Sequence, residues 1–377
     1  MKQLLFILTL LILTVTAEAQ TDSLNSKLVF NGDFRFRAEQ DWDSRKSDGS
    51  FREDRSRLRY RVRAGATYKH KWYEAGLRLR TGNPNKQQDP QLTLGDGYAE
   101  FNTLPIGLEK AYFQGKWETF KFWVGKNTYP FLKSNELFWS DNVFPEGVAI
   151  EKKFNVSSDI VDSVSLAGGH FVVATSNESF DKDAYFQGFQ ISTKALNNGL
   201  ILFPSIYLFK NIPNIPDGSD TFLLDYSILH VGTRVKVLNT VPLRIELDYY
   251  RNLTGYRNND SIPDNFKDET SGYVVGLKYG ALRNKGDWRA SATYAWLQRY
   301  SAVDFLAQND WARWDYSAFD SPDGRLTNLK GIELAISHNI DKKLSLTMKY
   351  YVVEQLIPFG ITKENGSRIR FDIDIKI

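Results

Sequence analysis

The chain has 377 residues, no cysteine and a formal net charge of only +3. So small an excess of positive charge argues against a nucleic-acid-binding protein, because such proteins neutralise phosphates with a surplus of lysine and arginine. The absence of cysteine excludes a fold that depends on disulfide bonds.

The N-terminus has the pattern of a signal peptide. Lys2 precedes an apolar run from Leu4 to Val15, and the small residues Ala17 and Ala19 follow. The run is too short to span a bilayer, which disfavours a membrane anchor. We therefore predict a signal peptide over residues 1–19, export of the mature chain, and a periplasmic leader over residues 20–27.

Two strand patterns come next. Apolar and polar residues alternate over residues 28–39, a polar loop follows over 41–54, and alternation resumes from Arg55 to Tyr68. In this second segment every odd position from 55 to 63 is arginine, and the even positions are mostly apolar. A period of two predicts a strand with one basic face and one apolar face. Facing lipid would cost each arginine about 2–4 kcal/mol at the bilayer midplane, so the basic face must meet water.

The rest of the chain repeats this alternation and sorts its connections by length. Strand-like segments follow at 73–80, 108–117, 120–126, 148–154, 164–173, 184–192, 200–209, 223–237, 241–251, 272–280, 288–298, 329–338, 344–353 and 368–377. Short turns alternate with long loops at 41–54, 81–106, 127–147, 210–222, 252–270 and 299–327. A soluble sandwich has no reason to sort its connections in this way. We therefore predict an all-β protein: one transmembrane antiparallel up-and-down β-barrel of about 16 strands over residues 28–377, with both ends periplasmic.

Several segments resemble one family. They are the arginine strand and the segments 30–39, 76–82, 124–131, 144–150 and 328–334. Together they are similar to the "putative porin" family of Gram-negative, Bacteroidota-type outer-membrane β-barrels. The resemblance implies localisation in the outer membrane and a water-filled channel for passive diffusion of small hydrophilic solutes. Outer-membrane lipids, lipopolysaccharide and the insertion machinery are the expected partners, and a homo-oligomer is left open.

The enzyme interpretation has little support in the sequence. The chain has four histidines, and none lies in a recognisable nucleophile motif. Asp315, Asp320 and Asp323 make one loop acidic, but their spacing does not match an EF-hand calcium loop. We expect no enzymatic activity, no cofactor and no metal site.

The most informative group is an inward-facing row of nine arginines on the first three strands, which we call the arginine wall. Its members are Arg35, Arg37, Arg55, Arg57, Arg59, Arg61, Arg63, Arg78 and Arg80. Asp33, Glu39 and Glu74 are available as partners, and barrel closure would bring Asp372 and Asp374 beside Arg35 and Arg37. The wall either stiffens the barrel through such pairs or leaves a surplus that attracts anions. Because nine arginines outnumber five acids, we expect a weak anion preference.

The long loop 127–147 is the candidate constriction. It combines aromatic and acidic residues, among them Tyr129, Phe138, Trp139, Asp141 and Glu146. So apolar a loop would be poorly placed in open water. We expect it to fold into the lumen opposite the arginine wall, with Asp141 and Glu146 supplying negative charge. Packing over the barrel mouth or on a neighbouring subunit is the alternative.

A second function remains open at this point. The aromatic loops, with Phe138 beside Trp139 and Trp311 near Trp314, could stack on sugars. The chain would then be a surface receptor or a substrate-specific channel for a glycan, because a barrel by itself does not fix function.

Overall fold

The computed structural model describes residues 26–377 except 86, 96–103, 157, 214–221, 238–241, 312–325 and 359. The predicted signal peptide, most of the leader and the acidic-loop residues 315, 320 and 323 lie outside this part of the chain. Among the described residues, no helix is long and apolar enough to cross a membrane.

Almost all regular structure is antiparallel β-sheet. The strands are β1 (Lys27–Arg45), β2 (Arg55–Lys69), β3 (Tyr73–Thr81), β4 (Leu92–Thr93), β5 (Ile106–Lys116), β6 (Phe120–Lys126), β7 (Glu146–Asn155), β8 (Val161–Ala174), β9 (Ala184–Ala195), β10 (Leu200–Pro213), β11 (Leu223–Lys236), β12 (Leu243–Asn252), β13 (Ser271–Gly280), β14 (Trp288–Leu297), β15 (Leu329–Asn339), β16 (Leu344–Gln355) and β17 (Asn365–Lys376). Three short 3₁₀ turns complete the regular structure of the described residues.

The sheet closes on itself. Each long strand pairs with its sequence neighbours, and β17 pairs back onto β1. The two-residue strand β4 stands outside this ring and pairs only with β2. Sixteen strands of the described chain therefore form the barrel, which confirms the predicted all-β, up-and-down architecture.

The two faces of the barrel differ as the alternation predicted. On β12, Leu247 is 41% exposed and Tyr249 45%, whereas Glu246 and Asp248, which alternate with them, are buried. The same holds on β2, where Leu58 and Val62 are exposed and the arginines beside them are not. The apolar rows form the outer surface and do not pack into a protein core, so the soluble-sheet interpretation is excluded.

The connections also sort by length. Short turns such as 70–72 and 340–343 lie on the side of both described chain ends, because Lys27 pairs with Lys69 at the β2–β3 turn. The long connections lie on the opposite side. Several strands extend further toward that side than the sequence indicated. β1 reaches Arg45 through an irregularity at Trp42, where the alternation of residue types fades and only the ladder hydrogen bonds define the strand.

The closing seam between β1 and β17 pairs opposite charges. In register, Arg35 faces Asp374 and Arg37 faces Asp372. Arg35 Nε donates to Asp374 Oδ1 at 2.6 Å, and Arg37 holds Asp372 through Nε and Nη2 at 2.7 and 3.1 Å. The sequence-based expectation that closure brings these four residues together is confirmed.

The lipid-facing role of the outer row can be tested with one arginine placed on either face. Leu247→Arg puts a charge at mid-strand on the outer surface, where we expect a loss of about 2–4 kcal/mol in folding free energy in lipid vesicles. Thr293→Arg is the matched control, because Thr293 lies two strands away at nearly the same height and lines an inner cavity. Equal folding free energies for the two variants, measured by urea titration in vesicles, would contradict the assignment of faces.

Candidate functional site

The arginine wall lies on the inner face of the barrel, but its members do not share one environment. Arg35 faces Arg61 directly across β1 and β2, and Arg37 faces Arg59. A cavity of about 730 Å³ inside the barrel is lined by five of the nine, namely Arg35, Arg37, Arg59, Arg61 and Arg63. The other four, Arg55, Arg57, Arg78 and Arg80, lie on the same rows outside the lining of that cavity.

Carboxylates separate these arginines. Asp33 accepts hydrogen bonds from both Arg61 and Arg63 at 2.7 Å. Like charges placed opposite each other destabilise a sheet, so such bridging acids are what allows the wall to form. The remaining pairs are Arg55 with Asp41, Arg57 with Glu39, Arg59 with Asp89 and Arg78 with Glu109, while Arg80 donates to the carbonyl oxygens of Thr81 and Asn83.

The partners differ in part from those that the sequence suggested. Glu74 was expected to serve the wall, but it accepts hydrogen bonds from Tyr112 and Gln114 instead. Asp41 and Glu109 take part and were missed. Glu109 lies on β5 beside Lys110, where a local irregularity in the β3–β5 register obscures the alternation.

The loop between β6 and β7 lies inside the barrel. The Phe138 ring stacks between Tyr207 of β10 and Tyr250 of β12, at centroid distances of 4.9 and 5.1 Å. Tyr129 and Trp139 stack on each other at 4.5 Å, and both are buried. Because Tyr207 and Tyr250 belong to the inner face, the loop occupies the half of the lumen beside β9–β12.

Polar contacts hold the same loop from three strands. Asn135 Nδ2 donates to Asp248 Oδ2 at 2.9 Å, and Arg234 Nε donates to Ser134 Oγ at 3.1 Å. The Leu132 amide donates to Gln190 Oε1 at 2.7 Å. Asp248 also pairs with a buried His230 at 2.8 Å, so this histidine belongs to the loop anchor.

The two acids expected on this loop are placed differently. Asp141 is exposed to the lumen cavity that the arginine wall lines, and pairs with Lys133 at 2.5 Å. Glu146 begins β7 on the row of Val148, which is the outer row, and pairs there with Lys126 at 2.6 Å. Glu146 therefore brings no charge to the lumen, contrary to the sequence-based expectation. Its parity with Val148 was the signal that could have shown this.

Two further loops enter the lumen and join the first. The Gln308 amide donates to the Glu136 carbonyl at 3.0 Å, and the Ser140 amide donates to the Leu306 carbonyl at 2.8 Å. From the β3–β5 connection, Gln88 Nε2 donates to the Phe305 carbonyl at 2.9 Å. Nothing in the residue pattern indicates this three-loop junction, because loops that fold inward carry no fixed period.

A second cavity, of about 340 Å³, lies between the β6–β7 loop and β12–β16. It shares part of its lining with the larger cavity. The shared residues are Glu136 and Asp141 on the loop, and Arg289 and Lys349 on β14 and β16. We call these four residues the shared rim. Acids on one side and cations on the other place a transverse electric field between the two cavities.

The pKa values of two loop acids near the shared rim are shifted in opposite directions. Burial and the neighbouring Asp141 raise the pKa of Glu136, whose Oε2 accepts the Asp141 amide at 2.9 Å. Although burial alone would raise the pKa of Asp310, Arg370 and Arg37 hold it well below its usual range. Asp310 is therefore ionised at any ordinary pH, whereas Glu136 takes up a proton more readily than a free glutamate.

No cluster of metal-ligating side chains is found in the described part of the chain. There, no group of three or more histidine, aspartate or glutamate side chains is arranged to hold a metal ion. The His230–Asp248 pair is enclosed by aromatic rings, Phe138 and Tyr250 among them.

Phe138 should be the main hydrophobic anchor of the β6–β7 loop. Phe138→Ala removes an aromatic side chain from a packed site, a change that typically costs about 3–5 kcal/mol. We expect faster tryptic cleavage after Lys133 and larger current fluctuations. Phe180→Ala is the matched control, since Phe180 is 90% exposed on another loop. If both variants are cleaved at the wild-type rate, Phe138 does not anchor the loop.

Several solved outer-membrane proteins have the same fold. OprB of Pseudomonas putida matches with 13% identity and a TM-score of 0.54, over 93% of this chain and 94% of its own. The outer-membrane channel DcaP of Acinetobacter baumannii gives 11% and 0.53, over 94% and 98%. OmpF of Salmonella typhi, solved in complex with daunomycin, gives 11% and 0.56, over 94% and 98%. At these identities the likeness shows the fold alone.

Sequence comparison gives the family. No curated protein is similar enough to count as a relative. The family model described as "Putative porin" matches residues 49–225 and 223–374 and so covers most of the chain. Together with the closed barrel, this match identifies an outer-membrane channel. The chain belongs to the "putative porin" family.

Proposed function

We propose that the barrel conducts small hydrophilic solutes by passive diffusion, with a weak preference for anions. The observation that carries this proposal is the lining of the larger cavity, which contains nine lysine and arginine side chains and seven aspartate and glutamate side chains. A cationic excess in a water-filled passage with low-dielectric walls raises the local anion concentration. Stepwise conductance in planar bilayers, with a reversal potential in a KCl gradient, tests both parts of the proposal.

The preference is weak because most cations in the lining are paired. Arg61 and Arg63 share Asp33, and Arg37 holds Asp372. Arg289 differs: it is exposed, it belongs to the shared rim, and no ion pair joins it to any described residue. We assign the largest share of the preference to Arg289. The arginine wall contributes less, since its own acids cancel most of its field.

The glycan-receptor alternative loses support from burial. Phe138, Trp139 and Trp311 are each less than 5% exposed, so their faces are not available to stack on a sugar. Trp314 lies outside the described residues. Diffusion through the lumen is therefore the function that we favour.

The role of Arg289 can be tested directly. Arg289→Gln should move the reversal potential toward cation preference at 0.1 M KCl, where the Debye length is about 10 Å, and much less at 1 M, where it is about 3 Å. Arg257→Gln makes the same charge change on an outer loop, where Arg257 is 80% exposed, and should leave the potential unchanged. A folded Arg289→Gln variant with the wild-type potential at low salt would refute the assignment.

The β6–β7 loop should limit conductance. Deleting residues 132–142 removes the segment that carries Phe138, Glu136 and Asp141, so single-channel conductance should rise. Deleting residues 177–181, an exposed part of the β8–β9 loop, is the control and should leave conductance near wild type. Heat-dependent mobility in detergent gels verifies folding of both. Wild-type conductance in a folded 132–142 deletion would rule out a constriction formed by this loop.

A further inference from the structure

Asp310 places a carboxylate on the arginine wall from the β14–β15 loop. Its Oδ1 lies 2.5 Å from Arg370 Nη1 and 3.7 Å from Arg37 Nη1. Both arginines are almost fully buried, yet the Asp310 side chain remains 23% exposed and lines the larger cavity. A carboxylate thus occupies a position that two guanidinium groups face and that solutes in the lumen can reach.

The two arginines keep donor capacity at this position. Arg37 donates from Nε and Nη2 to Asp372. Its Nη1 faces Asp310 at 3.7 Å, which is too long for a hydrogen bond. Arg370 Nη1 contacts Asp310, whereas the buried Arg370 Nε makes no hydrogen bond to any described residue. Buried donors normally find well-aligned partners, because leaving them unmatched is costly. Asp310 therefore satisfies the charge of this site but only part of its hydrogen-bonding capacity.

We propose that Arg37 and Arg370 form a binding site for the carboxylate group of a small solute, and that Asp310 is a tethered ligand that occupies it between binding events. This inference rests on the proposed function, because the solute must enter the lumen. A free carboxylate displaces the Asp310 side chain and aligns with donors that the tethered group does not reach. Guanidinium groups suit this ligand, since their paired N–H groups match the two oxygens of a planar carboxylate.

Displacement requires that only the Asp310 side chain moves. The described part of the loop that carries it is held by contacts that do not involve that side chain. Asp304 Oδ1 accepts the amides of Leu326 and Thr327 at 2.7 and 2.9 Å, and the Gln308 amide is bound to the Glu136 carbonyl. The Asp310 carbonyl is itself held by Arg368 at 2.5 Å. A rotation about the Asp310 side-chain bonds therefore exposes the site without unfolding the loop.

Other charges at the position favour an anion. Lys349 lines the same cavity, while Asp372 already belongs to Arg37 and also lies 3.5 Å from Arg370 Nε. With Asp310 turned away, the cations that face the space are Arg37, Arg370 and Lys349, and the acids are Asp372 and Glu333, which lies 3.0 Å from Lys349 Nζ. This excess makes the position attractive to one added carboxylate.

The test is block of single-channel KCl current by succinate. Asp310→Asn keeps the size of the side chain and removes the competing charge, so the half-blocking concentration should fall about tenfold, which corresponds to about 1.4 kcal/mol. Asp89→Asn is the matched control. Asp89 lines the same cavity and pairs with Arg59, so its loss changes the net charge equally but leaves the Arg37–Arg370 site occupied.

A further substitution separates the site from the general field. Arg370→Gln in the Asp310→Asn background should restore the wild-type half-blocking concentration. If the Asp310→Asn variant folds poorly, Asp310→Ala takes its place. Equal block in the Asp310→Asn and Asp89→Asn variants would overturn the proposal, as would block by inorganic phosphate but not by succinate. The reversal potential of the wild-type channel is measured separately. If that potential shows no anion preference, the proposed selectivity is refuted, but the comparison of succinate block between the variants still tests the carboxylate site.

Discussion

The structure depends on the pairing of arginine with carboxylate along the inner face of the seam that closes the barrel. From β1 to β17 the inner pairs in register are Asp33 with Lys376, Arg35 with Asp374, Arg37 with Asp372, Glu39 with Arg370 and Asp41 with Arg368. Each pair joins opposite charges. A slip of two residues in either direction would place two like-charged pairs opposite each other, which destabilises a sheet. Charge order therefore specifies the register at which the first and last strands meet.

The same pairing explains how one strand can carry five arginines without forcing the barrel open. Lipid excludes them from the outer face, so all of them enter the lumen on β2. There they meet acids from β1, from β5 and from one inward loop. The wall is thus a compensated network, and in the function that we propose the selectivity of the channel depends on the few cations that the network leaves exposed.

The lumen has an aromatic half and a charged half. Beside β9–β12 the lumen is filled by aromatic side chains that pack against the β6–β7 loop, whereas the half beside β1, β2 and β17 is charged and wet. Aromatic packing fixes the loop on one side, and hydrogen bonds to two other loops fix it on the other. We propose that solutes pass through the charged half, where the loop acids face Arg289 and Lys349. In that proposal, a carboxylate on a loop and a carboxylate on a solute compete for the same guanidinium groups.

The sequence by itself determined the barrel. Period-two alternation is a local property imposed by lipid on one side and water on the other, so it located strands such as Phe120–Lys126 at their observed bounds. It also predicted which residues meet across the seam, because in a closed up-and-down barrel the first and last strands must pair with each other. Only the tertiary structure decided which loops fold inward and which acids the arginines find. Glu74 was assigned to the arginine wall but bonds Tyr112 and Gln114, and Glu146 was assigned to the lumen but lies on the outer row. Asp89 and Asp310 pair with inner arginines from loops, whose positions follow from contacts between segments far apart in the chain and leave no period in the sequence.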